Sequence, residues 1–176
     1  MIKTGYIETP LGLMIAGATE DGICLLEFSD RKMLHSEYKD LTKRLKTSIE
    51  ERESKHFRKL RREVKEYFEG RRKEFSIPLV TPGTEFQQRV WKELQNIPFG
   101  STRSYQEQAT ALNNPDSVRA VANANGMNRI SIIIPCHRVI GADGRLTGYG
   151  GGLRRKRWLI DHEKKYSGQA VDLSLF

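Results

Sequence analysis

The pentapeptide Pro135-Cys136-His137-Arg138-Val139 places a thiol and an imidazole side by side. Cysteine attacks as its thiolate, and a neighbouring base or positive charge raises the thiolate fraction. The pentapeptide follows the apolar run Ile130-Ser131-Ile132-Ile133-Ile134, which reads as a buried strand delivering the thiol at its end. A cysteine after an apolar run is most often a small buried hydrophobe, so this pair alone leaves a structural and a nucleophilic reading open. The other cysteine, Cys24, is remote in sequence, and the chain has neither a CxxC pair nor a disulfide framework. His35, His56, His137 and His162 show no ligand spacing with the cysteines, so no metal site is expected.

The elements around this pentapeptide differ between the two halves of the chain. Ile2–Glu8, Leu13–Ala18 and Ile23–Phe28 read as short strands, with turn residues at 9–12 and 20–22, and predict an antiparallel meander. A polar, helix-favouring segment covers Lys32 to Glu69. Within it Leu60, Val64, Tyr67 and Phe68 recur on one helical face, and its Lys, Arg and Glu residues read as a solvated face. Residues 71–84, with Pro78, Pro82 and Gly83, read as a linker. Glu85–Gln95 predicts a helix with Phe86, Val90, Trp91 and Leu94 on one side. Ser104 caps a short helix, Tyr105–Leu112, with Glu107 at the capping-box position. Asn113-Asn114-Pro115 turns the chain into a further helix, Asp116–Asn125, carrying Ala120, Ala122 and Ala124. Two short helices joined by a tight turn form a helix-turn-helix pattern. Its small side chains suit either close helix packing or approach to a nucleic-acid groove, with Arg119 as the long basic side chain near the start.

Size and charge narrow the classes. A chain of 176 residues fits one or two small domains. With 30 Lys+Arg against 22 Asp+Glu its formal net charge is +8, denser from Phe99 onward. A basic surface is the footprint of a polyanionic partner. No signal peptide is evident, no apolar run approaches a membrane span, and cysteine usage points to a reducing compartment, so an intracellular, cytoplasmic protein is expected.

From Phe86 to Glu163 the chain resembles the DNA-repair alkyltransferases that remove alkyl groups from O6 of guanine, the methylated-DNA–protein-cysteine methyltransferases. The resemblance rests on Ile134-Pro135-Cys136-His137-Arg138-Val139, Phe99-Gly100, Ser104-Tyr105, Arg119-Ala120-Val121, Asn128, Gly148-Tyr149-Gly150-Gly151-Gly152-Leu153, Trp158-Leu159 and His162-Glu163, in order and at family-like spacing. The first eighty residues match more loosely. The resemblance implies that Cys136 takes up the alkyl group once and irreversibly, with His137 and Glu163 as a relay acting through a water. It implies that Asn128 ties the helix-turn-helix to the active-site segment. Tyr105, Val139, Tyr149 and Gly150 would surround the base, Val139 through its carbonyl. Arg119 would fill the space left by a flipped nucleotide, with Ser104 and Ala120 also facing DNA. Two positions depart from the family pattern. Arg129 stands where the family often has proline, and Gly150 where many members have serine.

The expectation is therefore an α+β protein: a small antiparallel sheet domain with helices over 1–80, then a mostly helical domain with a winged helix-turn-helix over 81–176. It would act as a monomer on double-stranded DNA containing alkylated guanine, without cofactor or membrane, associating with the nucleoid when at work. Cys24 reads as structural, and the run Arg154-Arg155-Lys156-Arg157 as a solvated helix start, a phosphate contact or a localisation signal. Two rivals differ in class. A lesion sensor of the same fold would lack the acceptor cysteine, and a thiol hydrolase would need a labile acyl-enzyme that turns over.

Overall fold

The structure is a computed structural model and describes residues 1–168; residues 169–176 of the expected helical domain lie outside the described residues. Strands β1 (Ile2–Thr9), β2 (Gly12–Ala18) and β3 (Ile23–Phe28) form the expected antiparallel meander. The tight Thr9–Gly12 turn is closed by Thr9 Oγ1 donating to the Gly12 carbonyl, and Gly12 takes φ +122°. A fourth strand, β4 (Ile49–Glu51), adds to β1 in parallel, so the sheet is mixed, in the order β3-β2-β1-β4. Three residues rich in Glu gave β4 no apolar alternation to read.

The polar segment folds as two helices on either side of β4, α1 (Leu34–Leu45) and α2 (Phe57–Phe68). They cover opposite faces of the sheet. Leu41 packs with Ile2, Ile15, Cys24 and Leu25, while Phe57, Leu60 and Val64 pack with Ile7, Met14, Leu26 and Phe28. Every residue of β3 is consequently buried. The solvated face expected for this segment has two exceptions, Glu37 and Glu63, which are 5% and 0% exposed. Glu63 is satisfied by the Ser76 and Ile77 amides, at 2.9 Å each, and by Arg72.

The helical half contains α3 (Glu85–Leu94), α4 (Tyr105–Ala111), α5 (Val118–Gly126) and α6 (Leu153–Tyr166). Capping boxes at Thr84 and Ser104 open α3 and α4, each satisfying two amides that the helix itself leaves unpaired. Between α4 and α5, Gln108 and Asn125 exchange two buried side-chain hydrogen bonds of 2.9 and 2.7 Å. Trp91 Nε1 donates to the Ala124 carbonyl and fixes α3 against α5. Two-residue strands β5 (Arg103–Ser104) and β6 (Val139–Ile140) pair in parallel beside the helices.

The apolar run before the cysteine is not a strand. Ile130 makes a single bridge to Leu26, and 131–134 then turn, with Ile133 N donating to Ser131 O and Ile134 N to Ile130 O. Ile132 sits at φ +74°, a left-handed conformation unfavourable for a β-branched residue. A short apolar run is ambiguous by periodicity; here it is buried because it folds into the contact between the two halves. That contact is one core, joining Met14, Leu26 and Phe28 to Val90, Trp91, Ile130 and Leu159.

Candidate active site

Cys136 begins a single 3-10 turn, Cys136–Arg138, rather than ending a strand. Its Sγ accepts from Asn128 Nδ2 at 3.3 Å. Asn128 itself is only 1% exposed, donates to the Ile134 carbonyl at 2.8 Å and accepts from Ile130 N at 2.9 Å. This asparagine, just after α5, therefore braces the turn that carries the thiol. Burial pushes the Cys136 thiol above its ordinary value. The Asn128 donor opposes this, the Glu27 charge adds to it, and Arg31 and Lys156 oppose it.

His137 is fully buried, with Nε2 2.7 Å from Glu163 Oε2 on α6. Burial would raise the Glu163 carboxyl, but His137 and Arg138 hold it well below the usual carboxylate range. An ionised carboxylate only accepts, so His137 Nε2 carries a proton and Nδ1 is the nitrogen left to act. Nδ1 is buried with no protein hydrogen-bond partner among the described residues. Glu163 also receives Arg138 Nε at 2.7 Å and the Tyr67 hydroxyl at 2.6 Å. Its sequence neighbour His162 instead contacts the Tyr67 carbonyl and stacks on Trp158.

Cys136 opens into a cleft of about 440 Å³ that Asn128, Tyr105, Tyr149, Gly150 and Arg119 also line. Tyr105 opens α4 and its hydroxyl donates to the Thr147 carbonyl at 2.9 Å, holding the loop that leads to Tyr149. Lys156 Nζ donates to the same carbonyl and to that of Gly148. Arg119 and Ala120 are exposed on α5. The Ser104 hydroxyl accepts from Glu107 N as a helix cap. Val139 is buried on β6, beside Arg103, and is not among the residues that line the cleft. A larger depression of about 550 Å³, lined by Phe99, Pro135 and Arg138 among others, holds neither a cysteine nor a histidine.

Sequence reasoning did not find the roles of Tyr67, Arg138, Arg129 and Lys156. Tyr67 carried a signal, since a tyrosine on an otherwise apolar helix face needs a partner for its hydroxyl. Arg138 lay inside the motif. Lys156 was hidden within the basic run, which is a solvated helix start only at Arg154 and Arg157: Lys156 is 0% exposed, and Arg155 binds Asp30 and lies 4.1 Å above the Phe28 ring. Arg129 explains its own departure from the family pattern. It donates to the Pro82 carbonyl at 2.6 Å, pairs with Asp40 of α1 and stacks on Trp91, which a proline cannot do. Cys24 is buried in the sheet with its thiol pushed up to about 12, which suits a structural residue.

Two family models match the chain. One, described as 6-O-methylguanine DNA methyltransferase, ribonuclease-like domain, spans residues 2–81; the other, described as the DNA binding domain of the same methyltransferase, spans residues 85–165. The chain belongs to the 6-O-methylguanine DNA methyltransferase family. Among relatives of this methyltransferase family, the methylated-DNA–protein-cysteine methyltransferase of Methanosarcina barkeri is 42% identical over 159 residues, covering 90% of this chain and 94% of the relative. That of Mycobacterium tuberculosis is 57% identical over 110 residues, covering 62% of this chain and 66% of the relative. The crystal structure of the Mycobacterium tuberculosis O6-methylguanine methyltransferase superposes with a TM-score of 0.80 at 40% identity, covering 100% of this chain and 99% of that one. A structure from the same organism in complex with DNA gives 0.79 at 39% identity, covering 93% of this chain and 94% of that one. Among the described residues, no helix is long and apolar enough to cross a membrane.

Proposed function

We propose that this protein repairs DNA by transferring the alkyl group from O6-alkylguanine to its own Cys136, once per molecule. The observation that carries this reading is the chain Asn128–Cys136–His137–Glu163. A thiol opening on a cleft is braced by an amide donor, next to an imidazole whose far nitrogen is fixed on an ionised carboxylate at 2.7 Å. This is the nucleophile, base and orienter logic of hydrolase triads on another scaffold.

Burial disfavours the thiolate, so the reaction needs a base. His137 Nδ1 takes the Cys136 proton through a bridging water, and the imidazolium is stabilised by Glu163. The thiolate then attacks the alkyl carbon in line. An S–C bond forms, the C–O6 bond breaks, and the electron pair leaves on the guanine oxygen. Tyr105 and Tyr149 flank the base, and Tyr105 helps neutralise the charge developing there. The Val139 carbonyl accepts from the exocyclic amine, and Gly150 offers its backbone amide to O6. The product is a thioether, which water does not cleave, and the protein is its own acceptor, so no cofactor enters.

Guanine O6 is unreachable inside a stacked duplex, so the nucleotide is flipped out. Arg119 on α5 fills the vacancy, while Ser104 and Ala120 face the DNA backbone. Phosphate contacts dominate binding and make it tolerant of sequence. The protein acts as a cytoplasmic monomer, associated with the nucleoid at work. The division into two domains falls between 80 and 81, next to the gap between the two family models.

Incubation with a duplex containing O6-methylguanine should add one methyl group per protein, mapped by intact mass and peptide analysis to Cys136. Cys136→Ala should abolish transfer and still bind the duplex. An adduct on Cys24, or turnover beyond one equivalent, would overturn the proposal; the second outcome would favour the thiol hydrolase.

A further inference from the structure

One arginine of the sheet domain reaches the cleft. Arg31 lies just after β3, on the loop that leads to α1, and is 8% exposed. Nη1 donates to the Asn128 carbonyl at 3.0 Å and Nη2 to the Gly126 carbonyl at 2.5 Å. These are the end of α5 and the asparagine that braces the thiol. Nη1 also donates to Glu27 at 2.6 Å, so a buried carboxyl group fixes the guanidinium from behind, and Glu37 Oε1 lies 3.1 Å from the same nitrogen without a hydrogen bond. Nε has no hydrogen-bond partner among the described residues.

Gly150 shows what this arrangement does to the cleft. A Cβ built at Gly150 would lie 2.6 Å from Arg31 Nε and 2.8 Å from Nη1, closer than carbon and nitrogen can approach. Both residues line the cleft with Cys136. The guanidinium thus occupies the space that a side chain at 150 would need. Gly150 is required by Arg31, and the two act as one wall.

We propose that Arg31 is a specificity-determining and positioning residue of the alkyl-transfer site: its guanidinium, packed under Gly150, is the wall that limits the size of the O6 substituent, and its bonds to Gly126 and Asn128 hold that wall in register with Cys136. The proposal rests on the alkyl-transfer reading and adds to it a contribution from the sheet domain. It gives the N-terminal half a part in choosing the substrate.

Rates of adduct formation at Cys136 with the free bases O6-methylguanine and O6-benzylguanine test it, because a free base has no stack to leave and needs no flipping. Arg31→Lys keeps a cation beside Glu27 and Glu37, so the buried Glu27 carboxyl retains a partner, but it removes the planar group against Gly150. The benzyl-to-methyl rate ratio should rise about tenfold, the usual worth of a pocket group of this size. Gly150→Ala should slow transfer of both bases about tenfold or more by driving the guanidinium out of place. The double variant should recover the rate of Arg31→Lys alone. Thermal midpoints of all four proteins identify any loss due to unfolding, and the ratio within one folded variant is insensitive to it. An unchanged ratio in Arg31→Lys, or effects of the two substitutions that add to within about twofold, would overturn the role of Arg31. Failure of the unaltered protein to form any adduct with methylated duplex would instead overturn the alkyl-transfer reading itself.

Discussion

Cys136 rests as a thiol, since burial raises it and the Asn128 donor does not fully compensate. In the proposed mechanism its reactivity depends on the proton taken by His137, and His137 depends on Glu163. Groups that act as a unit lose their function together. His137→Ala and Glu163→Gln should each slow alkyl transfer at neutral pH and make it steeply pH-dependent, the histidine variant more so, and the double variant should be no worse than His137→Ala. Rates that add, with an unshifted pH profile, would remove the relay. Glu163 also carries a stability signature. Its folded carboxyl is held well below the usual range by His137 and Arg138, while an unfolded glutamate titrates near about 4.3. Its contribution is therefore complete above that value and disappears as pH falls through the folded value. The thermal midpoint of Glu163→Gln should lie below that of the unaltered protein at neutral pH, with the gap closing in acid; a constant gap would mean the carboxylate charge is not what stabilises α6. The thiol, its imidazole and the glutamate were readable in sequence because motif residues at fixed spacing carry them. Arg31, Arg129 and Lys156 were not readable, because each donates to backbone carbonyls that the fold brings to it, for Arg31 and Arg129 from far along the chain, and a carbonyl belongs to every residue and leaves no pattern in the sequence.

Elements whose caps and period agree were readable almost to the residue. Helix α3 was expected to end at Gln95 and ends at Leu94, and α4 opens at the capping box read from Ser104 and Glu107. Helix α5 starts later than expected, at Val118, with Ser117 as its N-cap residue, because 114–117 form a turn rather than a helical first turn. The active-site turn was misread because its apolar residues face the contact between halves, a burial that tertiary structure supplies and local pattern does not. The exposed Arg119 near the start of α5 separates the helix-turn-helix from the chemistry. Arg119→Ala should slow repair of a methylated duplex far more than reaction with the free base, since unstacking a nucleotide costs a few kcal/mol only when there is a stack to leave. Equal losses on the two substrates would give Arg119 a purely structural part.

The two halves are joined by charged and polar groups as well as by a shared core. Tyr67 of α2 donates to Glu163 of α6, Arg155 of α6 pairs with Asp30, and Arg129 pairs with Asp40 of α1. The same contact buries carboxyl groups that resist ionisation. Glu37 is pushed up to about 8, by burial first and by Glu27 next. The folded protein therefore keeps a proton that the unfolded chain releases from about pH 4.3 upward, and stability falls as pH rises through that window. Glu37→Gln should gain thermal stability relative to the unaltered protein as pH rises from about 4 to 8, and parallel curves would show that Glu37 does not titrate in the fold. Strand β3 has a further consequence. Its outer edge is not bare: Ile23 bridges Leu79 and Leu26 bridges Ile130, with backbone bonds of 2.8 to 2.9 Å. The catalytic segment is thus a cover strip for a sheet margin. Peeled away, it would leave the backbone of Leu25-Leu26-Glu27-Phe28 open along one side, a largely apolar template of the kind that recruits further strands into aggregates. A fragment ending before Glu85 should accordingly self-associate on gel filtration, and a monodisperse, monomeric fragment would show that the edge is harmless. A cell that cleaved this protein in the 81–84 segment would lose the repair activity and gain an aggregation seed.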